Sequence, residues 1–68
     1  MTKKDVIKLL EQIATYMELK GENTFKISAY RKAAQSLELD ERPLEDISDV
    51  TELKGIGKGV AEVINDYR

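Results

Sequence analysis

Three glycines near the end of the sequence lie at alternate positions, in the run Leu53-Lys54-Gly55-Ile56-Gly57-Lys58-Gly59. Glycine has no Cβ atom, so the backbone N–H groups of such a turn are open to an approaching anion. The first N–H groups of the helix that follows lack intrahelical acceptors and favour negative charge. Lys54 and Lys58 place positive charge beside these amides. The pattern indicates phosphate capture by the backbone; the alternative is a simple helix connection in which Gly55 is a C-cap.

A lysine and a tyrosine earlier in the sequence could bind a terminal phosphate. Lys26 and Tyr30 are four residues apart, so on a helix their side chains lie on neighbouring turns of one face. An ammonium group and a hydroxyl can both donate hydrogen bonds to one phosphate. The spacing alone favours the other interpretation, in which Tyr30 is an aromatic at the edge of the core and Lys26 is a solvated residue near the helix cap.

Composition excludes several classes of function. Cysteine and histidine are absent, so thiol chemistry, histidine general bases and the common zinc sites are excluded. No apolar run approaches the roughly 18 residues of a membrane span, and no signal peptide is visible. We therefore expect a cytoplasmic protein with no membrane partner.

The acidic residues are concentrated in one segment. Between Glu38 and Glu52 lie seven of the 13 acidic residues and one of the 11 basic residues. The remainder of the chain carries ten basic and six acidic residues, although the net charge is −2. This distribution is compatible with one face that meets phosphate, and it predicts weak binding.

Two long helices should position the first half of the chain. The first begins after Thr2, whose hydroxyl can cap the helix N-terminus, with Asp5 three residues later. It ends at Gly21. Its apolar stripe contains Val6, Leu9, Leu10, Ile13, Ala14 and Met17, and the lysines near its start (Lys3, Lys4 and Lys8) are interpreted as solvated. The second helix runs from Phe25 or Lys26 to about Leu37, with Asn23 or Thr24 as its cap. Its inner stripe contains Ile27, Tyr30, Ala33, Ala34 and Leu37.

Shorter helices should position the glycine turn. Pro43 can open a helical turn through Leu44 and Ile47, and Ser48 or Asp49 then caps a brief helix that carries Val50 and Leu53. The fourth helix runs from about Gly57 to the end of the chain and buries Val60, Ala61, Ile64 and Tyr67. The prediction is an all-α fold: residues 1–68 form a small four-helix bundle with one helix-hairpin-helix motif. The uncapped end at Arg68 suggests a domain of a longer protein.

Two blocks of the sequence, residues 24–34 (Thr-Phe-Lys-Ile-Ser-Ala-Tyr-Arg-Lys-Ala-Ala) and residues 53–64 (Leu-Lys-Gly-Ile-Gly-Lys-Gly-Val-Ala-Glu-Val-Ile), resemble the N-terminal domain of family X DNA polymerases. This is the family of DNA polymerase beta, and the bacterial members look most similar. The resemblance covers nearly the whole chain. It implies a monomeric domain that binds the 5′-phosphate side of gapped or nicked DNA during DNA repair, such as base excision repair, while a polymerase domain of the parent chain extends the 3′ end.

The resemblance also implies roles for individual residues. Lys26 and Tyr30 would contact the 5′-phosphate. Backbone amides around Gly55, Gly57 and Gly59 would hold a phosphate of the duplex, helped by Lys58 and the neighbouring Lys54. A monovalent cation, K⁺ or Na⁺, would be bound by the backbone carbonyls of Thr51, Leu53 and Ile56.

The sequence departs from the family at three positions. Animal members use a lysine on the last helix as the Schiff-base nucleophile of a 5′-deoxyribose phosphate lyase, and that position is Val63 here. A supporting lysine corresponds to Gly59, and a histidine corresponds to Phe25. Because valine cannot form an imine, the domain is expected not to be an enzyme. Two alternatives stay open: residual lyase activity through Lys26, Lys54 or Lys58, and a protein-interaction module that uses the acidic segment 38–52.

Overall fold

The computed structural model describes residues 2–67, which form three α-helices and no β-strand. Helix α1 spans Lys3–Lys20, α2 spans Thr24–Leu39 and α3 spans Lys58–Asp66. Two 3-10 turns, Leu44–Asp46 and Val50–Glu52, lie between α2 and α3. The all-α class predicted from the sequence is therefore confirmed.

Both ends of α1 are set by the residues that the sequence indicated. The Thr2 hydroxyl accepts a hydrogen bond from the Asp5 N–H at 3.3 Å, and the Asp5 carboxylate accepts one from the Thr2 N–H at 3.2 Å. This reciprocal pair is a capping box. Gly21 ends the helix in the left-handed region with φ 74°. For α2, the choice between two caps is resolved in favour of Asn23, whose side chain accepts from the Phe25 N–H at 2.7 Å.

Lys3 is not the solvated residue that we expected. Its Nζ donates hydrogen bonds to the backbone carbonyls of Asp40 and Arg42, the latter at 2.7 Å, and it lies 3.9 Å from the Asp40 carboxylate. Its side chain is 17% exposed. Lys3 thus connects the start of α1 to the segment that follows α2 through hydrogen bonds. Lys4 and Lys8 are exposed as expected.

The core lies where the antiparallel pair α1 and α2 meets the turns and α3. Each element contributes buried apolar side chains, and the cluster consists of Val6, Leu10, Ala33, Ala34, Leu37, Leu44, Ile47, Val50, Ile56, Val60, Ala61 and Ile64. Tyr30 is partly buried and packs against this cluster. The core therefore fixes α2, the glycine turn and α3 relative to one another.

The predicted four-helix bundle is not confirmed, because the brief helix expected after Ser48 or Asp49 is only the 3-10 turn Val50–Glu52. The helical turn expected after Pro43 is present as the 3-10 turn Leu44–Asp46. Buried apolar residues recur at every third position of this segment, at Leu44, Ile47 and Val50. A spacing of three matches the three residues per turn of a 3-10 helix rather than the 3.6 of an α-helix. Asp49 also caps locally, since its side chain accepts from the Thr51 N–H at 3.0 Å. The first arm of the hairpin is thus a single 3-10 turn.

Helix α3 buries Val60, Ala61 and Ile64 as predicted. The predicted burial of Tyr67 is wrong, because its side chain is 44% exposed. Tyr67 follows the last helical residue and its φ of −107° and ψ of 3° leave α-helical geometry, so its side chain no longer follows the buried stripe. None of the helices described is long and apolar enough to cross a membrane.

Candidate functional site

The glycine turn that precedes α3 has a fixed conformation. The Leu53 carbonyl accepts a hydrogen bond from the Ile56 N–H at 3.2 Å, and Gly55 has a positive φ of 89°. A hydrogen bond between the first and fourth residues of a four-residue turn, with positive φ at the third residue, is the pattern of a type II turn. Such a turn favours glycine at its third position, which here is Gly55. Gly55 is therefore required by the backbone, and Ile56 beside it is buried and anchors the turn in the core.

Helix α2 holds this turn from one side. The hydroxyl of Ser36 donates a hydrogen bond to the backbone carbonyl of Lys54. A methyl group added at Gly55 would lie 3.4 Å from the Cβ of Lys32 and 3.6 Å from the Oγ of Ser36, so the turn approaches α2 closely. Sequence reasoning missed Ser36 and Lys32. The available signal was the four-residue repeat of polar residues at Thr24, Ser28, Lys32 and Ser36, which places all four on one face of α2.

The amides at the start of α3 are open to solvent. Gly57 is the N-cap, and no side chain among residues 2–67 caps the helix. Gly57, Lys58 and Gly59 are exposed, and a methyl group at Gly57 or Gly59 would meet no atom within 4 Å. Their N–H groups have no acceptor among the described residues. This arrangement presents unpaired donors and the positive end of a helix dipole to an anion.

One groove joins these amides to the predicted phosphate-binding side chains. It has a volume of about 310 Å³ and is lined by Met17, Phe25, Lys26, Ala29, Tyr30, Gly57, Gly59 and Val60. We call it the Tyr30 groove. The structure thus brings Lys26 and Tyr30 of α2 together with Gly57 and Gly59 at the start of α3. The Nζ of Lys26 forms no ion pair with another described residue, so its charge is available.

Lys58 and Thr51 line a different groove, of about 540 Å³, together with Asp49, Ala61, Glu62 and Asn65. The Thr51 hydroxyl donates to the Asp49 carboxylate at 2.6 Å. This bond and the one from the Thr51 N–H hold the pKa of Asp49 below its usual value. Lys54 is exposed and lines neither groove. The predicted site residues are therefore distributed around the start of α3 rather than gathered in one pocket.

The carbonyls predicted to bind a monovalent cation are those of Thr51, Leu53 and Ile56. Those of Thr51 and Ile56 accept no hydrogen bond from the described residues, and that of Leu53 accepts one, from the Ile56 N–H. Each therefore keeps at least one lone pair, and carbonyl oxygens are suitable ligands for hard cations. Within residues 2–67, no cluster of carboxylate, histidine or cysteine side chains offers a second kind of metal site.

Val63, at the position of the family's lyase lysine, is half-buried on α3 and packs against the core. Its aliphatic side chain contributes to packing. No nucleophile is supplied at this position.

Comparisons with known proteins identify the family of the chain. The profile of a family described as "Helix-hairpin-helix domain" matches residues 1–67. The chain is 60% identical over 67 residues to the "DNA polymerase/3'-5' exonuclease PolX" of Bacillus subtilis (strain 168). The match covers 98% of this chain but 12% of that relative, in its N-terminal part. No solved structure matches the chain.

Proposed function

The chain belongs to the helix-hairpin-helix domain family, and from this premise we propose that it binds DNA without sequence specificity, at the 5′-phosphate side of a gap or nick. Membership of this family and the match to a PolX polymerase support DNA binding in general. The groups around the start of α3 are backbone amides, lysine ammonium groups and a hydroxyl. These recognise phosphate rather than base edges, which is why no sequence preference is expected.

The observation that carries the 5′-phosphate assignment is the composition of the Tyr30 groove. Lys26 and Tyr30 line it together with Gly57 and Gly59, and no carboxylate lines it. A terminal phosphate carries more charge than a bridging one and is accessible from more directions, so a groove that offers an ammonium group and a hydroxyl without a carboxylate suits it. We assign Lys26 and Tyr30 to this phosphate.

The amides of Gly55, Gly57 and Gly59 are assigned to a phosphate of the duplex, with Lys58 and Lys54 supplying charge nearby. The carbonyls of Thr51, Leu53 and Ile56 would hold K⁺ or Na⁺, whose charge would bridge the hairpin to that phosphate. With three or four phosphates neutralised, the logarithm of the binding constant should fall with the logarithm of salt concentration at a slope of about −3. The dissociation constant of the isolated domain should be about 10⁻⁴ to 10⁻⁶ M.

We further propose that the domain is the N-terminal part of a DNA repair polymerase and is not itself an enzyme. The chain spans 12% of the length of the PolX relative, so the polymerase domain would lie in the remainder of the parent chain. Val63 replaces the lyase lysine of the family and is packed against the core. Borohydride should therefore trap no covalent complex with 5′-deoxyribose phosphate DNA, and a trapped complex would favour residual lyase activity instead.

The proposal is tested by titrating gapped DNA into the 68-residue chain and following backbone amide signals by NMR. The 5′-phosphorylated gap should bind more tightly than intact duplex or the 5′-hydroxyl gap, with shifts centred on Gly57 and Gly59. Lys26→Ala should remove the preference for the 5′-phosphate. Lys8→Ala, which also removes one exposed charge, should preserve this preference.

Equal binding of the phosphorylated and hydroxyl gaps by the unmodified chain would refute the assignment of Lys26 and Tyr30 to the 5′-phosphate. Amide shifts confined to residues 38–52 on adding a protein partner would instead favour a protein-interaction module.

A further inference from the structure

A second groove lies on the other side of Phe25, and the proposed function does not use it. Its volume is about 560 Å³ and it is lined by Thr24, Phe25, Ser28, Ala29, Lys32, Gly55 and Gly57. We call it the Lys32 groove. It shares Phe25, Ala29 and Gly57 with the Tyr30 groove, so the two grooves are adjacent and have one wall in common.

The register of α2 explains this arrangement. Residues four apart lie on the same face of a helix, so Thr24, Ser28 and Lys32 form one row. The row of Lys26 and Tyr30 lies on the far side of the shared wall. The side chain of Phe25 between them is 82% exposed. Each groove therefore has a lysine and at least one hydroxyl along its α2 side.

Charge distinguishes these two grooves from three other grooves on the described surface. Carboxylate side chains line each of three further grooves: Asp49 and Glu62 in one, Glu11 and Glu38 in another, and Glu11, Glu38, Asp40 and Glu41 in a third. None lines the Tyr30 or Lys32 groove. Within residues 2–67, Lys32 forms no ion pair. The surface formed by the Tyr30 and Lys32 grooves therefore attracts a polyanion more strongly than the three grooves lined by carboxylates do.

We propose that the Lys32 groove holds a further backbone phosphate of the bound DNA, so that a strand crosses the wall formed by Phe25 and Ala29 with a phosphate on either side. This inference rests on the proposed function. The Lys32 ammonium group supplies the charge, and the hydroxyls of Thr24 and Ser28 can donate hydrogen bonds, as hydroxyls commonly do to phosphate oxygens. Because this phosphate lies within the strand, the contact does not depend on whether the 5′ end is phosphorylated.

The test is the salt dependence of binding by Lys32→Ala, with Lys8→Ala as the control. Alanine keeps the Cβ that lies beneath Gly55, so the turn is preserved. Loss of one phosphate contact should reduce the slope of log K against log salt by about 0.9. The ratio of wild-type to variant affinity should therefore be about threefold larger at 50 mM than at 200 mM salt. Both the 5′-phosphorylated and the 5′-hydroxyl gap should lose affinity by the same factor, whereas Lys8→Ala should leave the slope unchanged.

A second pair of variants probes the groove by a different route. Ser28→Glu places a carboxylate in the groove and should weaken binding several-fold relative to Ser28→Gln, which has nearly the same shape. Equal slopes for Lys32→Ala and Lys8→Ala, or equal affinities for the two Ser28 variants, would overturn the inference. An effect of Lys32→Ala on the phosphorylated gap alone would also overturn it, since Lys32 would then contact the terminal phosphate. A wild-type chain that binds no DNA would instead refute the proposed function together with this inference.

Discussion

The Ser36 hydroxyl donates a hydrogen bond to the backbone carbonyl of Lys54, so one side chain of α2 holds the turn that leads into α3. Ser36→Ala should lower the free energy of unfolding by about 0.5–1.5 kcal/mol, and DNA affinity should fall because the turn is less well held. Thermal unfolding and a DNA titration measure the two effects. Ser28→Ala, at an exposed serine on the same face of α2, should leave the melting temperature unchanged. An equal fall in melting temperature for both variants would contradict a specific role for Ser36.

Gly55 and Gly21 provide a matched pair, because both have positive φ, 89° and 74°. Alanine in this region costs about 1–2 kcal/mol, so each Gly→Ala variant should melt at a lower temperature. Gly55→Ala also places a methyl group 3.4 Å from the Lys32 Cβ and should distort the hairpin, whereas a methyl group at Gly21 meets no atom within 4 Å. We expect loss of DNA binding for Gly55→Ala alone, measured at a temperature where both variants are folded.

Gly59→Ala should separate stability from binding. Gly59 lies in the first turn of α3, and a methyl group there meets no atom within 4 Å. Alanine favours helix over glycine by up to about 1 kcal/mol, so the melting temperature should rise. The added methyl group hinders a phosphate that approaches the Gly59 amide, so DNA affinity should fall. Unchanged affinity in a stabilised variant would show that no phosphate comes close to this amide.

Lys3→Met should destabilise the domain more than Lys8→Met. Lys3 Nζ donates to the carbonyls of Asp40 and Arg42, and hydrogen bonds from charged groups contribute about 1.5–3 kcal/mol. Lys8 is exposed, and its replacement changes the net charge equally. Chemical denaturation of the two variants gives the difference, and similar midpoints for both would argue against a structural role for Lys3.

Asp40 should make a pH-dependent contribution to stability. Hydrogen bonds from the Arg42 side chain and N–H lower the pKa of Asp40 from 3.8 to about 2. Between these values the unfolded state binds more protons than the folded state, so the contribution is complete above pH 3.8 and declines as the pH falls towards 2. Asp40→Asn should therefore melt below the wild type at pH 7, and the two melting temperatures should converge near pH 2.

Comparison with Asp40→Asn isolates this site from other carboxylates that titrate in the same range. The pKa of Asp5 is lowered by hydrogen bonds with Thr2, and that of Asp49 by hydrogen bonds from Thr51. Both groups titrate equally in the wild type and the variant, so their effects cancel. A difference in melting temperature that stays constant down to pH 2 would contradict the lowered pKa of Asp40.

The features that sequence predicted well are local ones. Thr2, Asp5, Gly21 and Asn23 act within three residues of themselves, so residue type was enough to place the ends of α1 and to limit the cap of α2 to Asn23 or Thr24. The stripe of Val60, Ala61 and Ile64 was also found, because an amphipathic helix repeats its pattern over several turns. The conformation of Gly55 follows from the same local logic, since few residues other than glycine adopt positive φ.

Features that depend on packing between distant segments were missed. Sequence predicts a brief helix that carries Val50 and Leu53, whereas the structure has a single 3-10 turn, Val50–Glu52. Ser36 and Lys32 are polar residues on a long helix, and their role depends on which face the hairpin meets. Lys3 was interpreted as solvated because its acceptors are 37 and 39 residues away. The resemblance, not the spacing, pairs Lys26 with Tyr30 at a phosphate, and only the three-dimensional fold shows that both line a groove with Gly57.

The anchoring of the hairpin by Ser36 and Gly55 has a consequence for the kinetics of encounter. A receptor whose loop is already immobilised loses little conformational entropy when its ligand arrives. Association should then occur in a single kinetic phase, with an observed rate that increases linearly with DNA concentration and no slower rearrangement afterwards. The complex would form by rigid-body association. The residence time of the DNA strand would then be set by the rate at which its phosphate contacts dissociate.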